Sequence, residues 1–106
     1  PPRVINVLTS LGKKEKDMFA TFTDWSMDNP EEGVKAADKL WPEMKAAGAI
    51  NMRVVKTGDT GARSMTMWPD AETAQKAIDA MRAKGAAMAG SEIVGGAMGT
   101  VLRELD

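Results

Sequence analysis

Few of the 106 residues have side chains that could do chemistry, and their types narrow what that chemistry would be. Asn6 is polar inside the apolar run Val4-Ile5-Asn6-Val7-Leu8-Thr9. Buried there, its amide needs hydrogen-bond partners, and a ligand carbonyl or phenol would supply one; near a strand end, backbone would serve instead. Trp68 offers a ring to stack on a flat ligand, or a large body to pack between a hairpin and a helix. Phe22, Trp25 and Trp41 form an aromatic set that, with nine Met residues, could line a cavity for a planar apolar ligand or simply fill a core. Arg53 or Arg63 inside such a cavity would hold a carboxylate or polarise an oxygen, whereas on solvated strand edges neither would. Gly58-Asp59-Thr60-Gly61 has the glycines of a phosphate loop, but it lacks the Lys-Ser/Thr and the strand-to-helix setting, and reads as a hairpin turn.

The absent residue types exclude more than the present ones suggest. There is no Cys, hence no disulfide, thiolate nucleophile or Cys-ligated metal, and no His, hence no imidazole base or haem ligand. No Tyr offers a phenol in their place. Asp28, Glu31 and Glu32 read as a helix cap with its dipole partners, and no metal or other cofactor is expected. Fourteen basic against fifteen acidic residues give a net charge of -1, which offers no electrostatic reason to expect nucleic acid or an anionic membrane. No apolar run approaches the roughly 20 residues of a membrane helix, and Pro1-Pro2-Arg3 does not resemble a secretory leader. The expected location is the cytoplasm.

One domain, residues 1–106, must position these groups, and with 43% hydrophobic residues it can bury a core. Val4–Thr9 reads as a strand closing at Gly12. From Lys14 to Met27 the spacing of Met18, Phe19, Phe22 and Trp25 predicts a helix, with a strand through Phe19-Ala20-Thr21-Phe22-Thr23 as the alternative. Asn29-Pro30-Glu31-Glu32 starts a helix through capping Asn, Pro at the first position and Glu three after the cap, so the first helix is broken near residues 28–30. Val34, Ala37, Trp41 and Met44 would line its inner face, with a kink or fresh start at Pro42 and an end at Gly48. Strands at Asn51–Lys56 and Arg63–Trp68 flank a hairpin loop. A second helix begins at Pro69-Asp70, turns Ala74, Ala77, Ile78 and Met81 inward and stops at Gly85. Ala86–Gly96 is soft, and Ala97–Leu102 makes a last strand.

The order is strand, helix, strand, strand, helix, strand: an α+β, ferredoxin-like βαββαβ arrangement, with a four-stranded antiparallel sheet and both helices on one face. Both sheet faces would be largely apolar, with Met52, Val54, Met65, Met67, Met98 and Leu102 adding to the surplus. A homodimer burying the free face is therefore expected.

Asn6-Val7-Leu8-Thr9, Gly12 just after it, and Met67-Trp68 closing a strand before a helix resemble the dimeric α/β-barrel proteins of the antibiotic-biosynthesis-monooxygenase type. The resemblance implies that Asn6 and Trp68 line a cavity between sheet and helices. Phe22, Trp25, Trp41 and Arg53 are substrate-binding candidates on residue type and position alone. The haem-degrading branch of that family uses an axial His, and this chain has none. Three functions remain. The first is a binder or cofactor-independent monooxygenase for a planar, quinol-like molecule that itself supplies electrons to oxygen. The second is a non-catalytic dimeric domain with a filled cavity. The third is a tautomerase using the secondary amine of Pro1 as base, which requires Pro1 to be the native terminus.

Overall fold

The computed structural model describes residues 17–105. Six elements follow one another: β1 (Phe19–Ser26), α1 (Pro30–Ala46), β2 (Asn51–Gly58), β3 (Gly61–Trp68), α2 (Ala71–Ala89) and β4 (Glu92–Thr100). The strands form one antiparallel sheet in the order β2-β3-β1-β4. Both helices pack on the same side of it, and together they make the ferredoxin-like α+β fold that the element order predicts.

Of the two readings of residues 14–27, the strand alternative through Phe19–Thr23 is the one the structure shows. Phe19–Ser26 is central strand, so the helix expected over residues 14–27 is corrected, and so is a first helix broken near residues 28–30. Phe19, Thr21, Thr23 and Trp25 alternate with Ala20, Phe22 and Asp24, and a period of two puts Phe22 on the other face from Trp25. The spacing of Phe19, Phe22 and Trp25 imitates a helix, but Thr and aromatic residues paired on both edges win as a strand. Val4–Thr9 lies outside the described residues.

Local chemistry starts the helices as read. Asn29 caps α1 by accepting from the Glu32 N–H at 3.2 Å, with Pro30 behind it. Asp70 does the same for α2, accepting from Thr73 N–H at 2.8 Å. Four expectations are corrected further along. Pro42 lies inside one unbroken α1, whose buried residues are Ala36, Leu40 and Met44, while Val34 is exposed. Gly85 does not end α2; the helix runs to Ala89 and ends at Gly90, whose φ of 61° suits glycine. The last strand begins at Glu92, five residues before the expected Ala97.

The core lies between the helices and one half of the sheet. Phe19, Leu40, Met44, Trp68, Ala74, Ala77 and Met81 form a single buried cluster. Leu40 and Met44 come from α1, and Ala74, Ala77 and Met81 lie one helical face apart on α2. Ala74 and Ala77 are the small α2 members of this cluster.

Candidate active site

The helix-facing side of the two central strands carries hydroxyls. Thr21, Thr23 and Thr66 are buried, and register sets Thr21 opposite Thr66 and Thr23 opposite Ser64. Buried hydroxyls need partners, and three large side chains supply donors to Thr21, Thr23 and the half-buried Ser64. Trp68 Nε1 donates to Thr21 Oγ1, Trp25 Nε1 to Ser64 Oγ and Arg82 Nε to Thr23 Oγ1, each at 2.9 Å. A hydroxyl that accepts in this way still owns a proton to donate.

Along this row, the Trp68 end is filled and the Trp25 end is not. A cavity of about 70 Å³ lies over Thr23, Ser64 and Thr66, under α1 and α2. Its helical walls mix large side chains, such as Leu40, Met44 and Ile78, with small residues: Gly33, Ala36 and Ala37 from α1, Gly85 and Ala89 from α2. A glycine inside a helix costs roughly 0.5–1 kcal/mol relative to alanine, so its presence needs a local reason. At Gly85 the reason is Trp25, because a Cβ there would stand 3.0 Å from Trp25 Cη2. Trp25 thus lies across the cavity with its indole nitrogen on Ser64 and its far ring edge against α2.

Arg82 supplies the charge. Ile78, Arg82, Gly85 and Ala89 share one face of α2 by helical spacing, and all four line the cavity. The guanidinium is fixed by two bonds, Nε to Thr23 Oγ1 and Nη2 to the Phe22 carbonyl, both 2.9 Å. Of its five N–H donors these use two, so three remain for a ligand. No carboxylate ion-pairs with Arg82 among the described residues. A half-buried cation without an anion on an apolar wall favours an oxyanion in that space.

The other expected residues fall elsewhere. Trp68 is wholly buried in the core cluster, outside the cavity walls. Trp41 packs, partly buried, against that same cluster. Phe22 and Arg53 lie on the opposite face of the sheet, along a groove with Ala20, Met65 and Met67. Arg63 is there too, 5.5 Å from the centre of the Phe22 ring and bonded through Nε and Nη2 to the Asp24 carboxylate at 2.7 and 3.0 Å. That bond and the adjacent positive charge hold the Asp24 carboxyl below the usual aspartate range and push the Arg63 guanidinium up. Asn6 and Pro1 lie outside the described residues. Of the described candidates, then, Trp25 is the one the structure sets in the cavity. Thr23, Ser64, Arg82 and Gly85 were missed, although the i, i+4, i+7 spacing from Ile78 to Arg82 and Gly85 marks one helical face. Among the described residues no group of three or more Cys, His, Asp or Glu could hold a metal ion. No described helix is long and apolar enough to cross a membrane.

No family model and no curated protein match the sequence. Solved structures do match the fold. SnoaB, a cofactor-independent oxygenase from Streptomyces nogalater, superposes with a TM-score of 0.67 at 12% identity, over 84% of this chain and 97% of that one. A single-residue mutant of the same oxygenase gives the same values. A conserved protein of unknown function from Bacteroides thetaiotaomicron, described as a possible oxidoreductase, superposes with a TM-score of 0.57 at 18% identity, over 81% and 99% of the two chains. At these identities the likeness speaks for the fold and not for the chemistry. The chain has the ferredoxin-like α+β fold and shares it with these solved structures.

Proposed function

We propose that this protein binds a small planar phenol or quinol in the cavity under Trp25 and acts on it as a cofactor-independent monooxygenase. The observation that carries the reading is Arg82, a cation on an otherwise apolar helix wall that, among the described residues, has no carboxylate partner and three donors beyond its two bonds. A phenol placed there loses its proton more readily, because the guanidinium stabilises the anion. The electron-rich anion then reduces oxygen itself. The chain binds the ring against Trp25, orients the oxygen atom toward Arg82, Thr23 and Ser64, and keeps water out. In the overall balance one oxygen atom enters the ring system, and the other leaves as water with two substrate hydrogens.

The open sheet face bearing Phe22, Met65 and Met67 is proposed as the seat of a second copy. No described helix covers it, and its apolar character argues for burial. One observation favours a non-catalytic binding domain as the second reading. The cavity of about 70 Å³ is well below the roughly 300–1,000 Å³ of ordinary ligand sites, so a substrate needs Trp25 or Met27 to move.

The readings separate in an oxygen-uptake assay with 1,4-dihydroxynaphthalene, run against the uncatalysed rate. The monooxygenase reading predicts uptake above that rate, lowered about 100-fold in Arg82→Gln, as for loss of one anion-stabilising donor. Saturable binding without added uptake would establish the second reading and overturn the first.

A further inference from the structure

The cavity has a neighbour. A surface groove of about 440 Å³ runs between the start of α1 and the end of α2, rimmed by Asp28, Glu32, Lys35 and Lys39. Met27, Gly33, Ala36 and Ala89 line both spaces, so they form the partition between them. Two of these are alanines and one is glycine, which leaves Met27 as the only long side chain in the partition.

Met27 has a seat. Its backbone N–H is tied to the Thr60 carbonyl at 2.9 Å, which anchors the residue to the β2–β3 turn. Its thioether lies on Gly33: a Cβ there would stand 2.3 Å from Sδ and 3.3 Å from Cε. Any side chain at position 33 would unseat the sulfur. The main chain is therefore held while the side chain, unbranched and with three rotatable bonds, can leave a glycine-sized hollow.

We propose that Met27 is the access and size-selecting residue of this site. Seated on Gly33, it confines the ligand to the cavity; turned away, it joins cavity and groove into one volume. That volume takes a fused-ring aromatic anion whose ring lies under Trp25 and whose further substituents reach the charged groove. The inference rests on the reading that the cavity binds a planar anion, and it adds the route and the size limit.

Stopped-flow binding of 1-anilinonaphthalene-8-sulfonate, a fused-ring aromatic anion, tests it, with energy transfer from tryptophan as the signal. Met27→Ala removes the plug and Gly33→Ala fills its seat. Both are expected to raise the association and dissociation rates together, about tenfold, leaving Kd within about threefold. Met27→Leu keeps a plug and should keep rates near those of the parent. Thermal melts confirm that each variant is folded. Occupancy of the cavity is read from Arg82→Gln, in which affinity for the anion must fall at least about tenfold. If it does fall but Met27→Ala and Gly33→Ala leave both rates unchanged, or alter dissociation alone, Met27 is merely a wall and the inference is overturned while the cavity reading stands. If the probe does not bind, or its affinity is unchanged in Arg82→Gln, the cavity reading fails and the access role falls with it.

Discussion

Replacing Arg82 with Gln gives two numbers that can be worked from the structure. The variant loses bonds from a charged donor to Thr23 Oγ1 and to the Phe22 carbonyl, both 2.9 Å long and part-buried. Hydrogen bonds to charged groups contribute about 1.5–3 kcal/mol each in favourable settings, but here the variant also relieves the cost of holding an unpaired cation away from water. Glutamine can remake one of the two bonds. A net loss of about 1–2 kcal/mol follows, which for a domain of this size lowers Tm by roughly 5–15 °C. The second number concerns ligands. An oxyanion paired with the guanidinium should bind about 100-fold more weakly to the variant, whereas a neutral ring of the same shape should change by less than about threefold. Calorimetry with 1-naphthoate and naphthalene methanol as the matched pair reads this difference, and urea denaturation followed by tryptophan fluorescence reads the first. Equal weakening of both ligands would refute the argument, since it would show Arg82 shaping the cavity rather than charging it.

Trp68→Phe should destabilise the fold by about 1–3 kcal/mol in urea denaturation, because it opens a gap in a wholly buried site and leaves Thr21 without its donor; ligand affinity should change little. Lowering pH should remove stability supplied by Asp24 and Glu31, held below the ordinary carboxylate range by bonds to Arg63 and Lys56 respectively. Depressed folded-state values mean that this contribution is complete above the ordinary range and is lost as pH falls below it, so Asp24→Asn should flatten the acid limb of a denaturation-against-pH curve. Phe22→Glu places a charge on the open sheet face, and sedimentation should show a shift from dimer to monomer at micromolar concentration; an unchanged sedimentation coefficient would count against the proposed pairing.

The fold was legible where local chemistry and pattern agree. Asn29-Pro30 and Asp70 announce both helices, and the Asp59-Thr60 turn between glycines announces the hairpin. It was least legible at Phe19–Ser26, where aromatic residues three apart satisfy a helical period and Thr residues two apart satisfy a strand. Only pairing with β3 and β4, a property of residues 35 to 81 positions away, decides between them. That one strand governs the site. Read as a helix, Phe22 and Trp25 would face the sheet together; as a strand, it sends Trp25 under the helices and Phe22 to the open face. Arg82 was hidden for a different reason: a charged residue on a helix reads as solvated by default, and nothing nearby in sequence reveals the Thr23 hydroxyl that holds it. The glycines at 33 and 85 were interpretable only with Met27 and Trp25 beside them.

The most direct test of the account is a crystal structure of the protein grown with 1-naphthoate. The account predicts the ring under Trp25, between the sheet and the two helices, with a carboxylate oxygen about 3 Å from the Arg82 guanidinium. A cavity left closed at saturating ligand, or a ring seated instead on the open face beside Phe22 and Arg53, would contradict it.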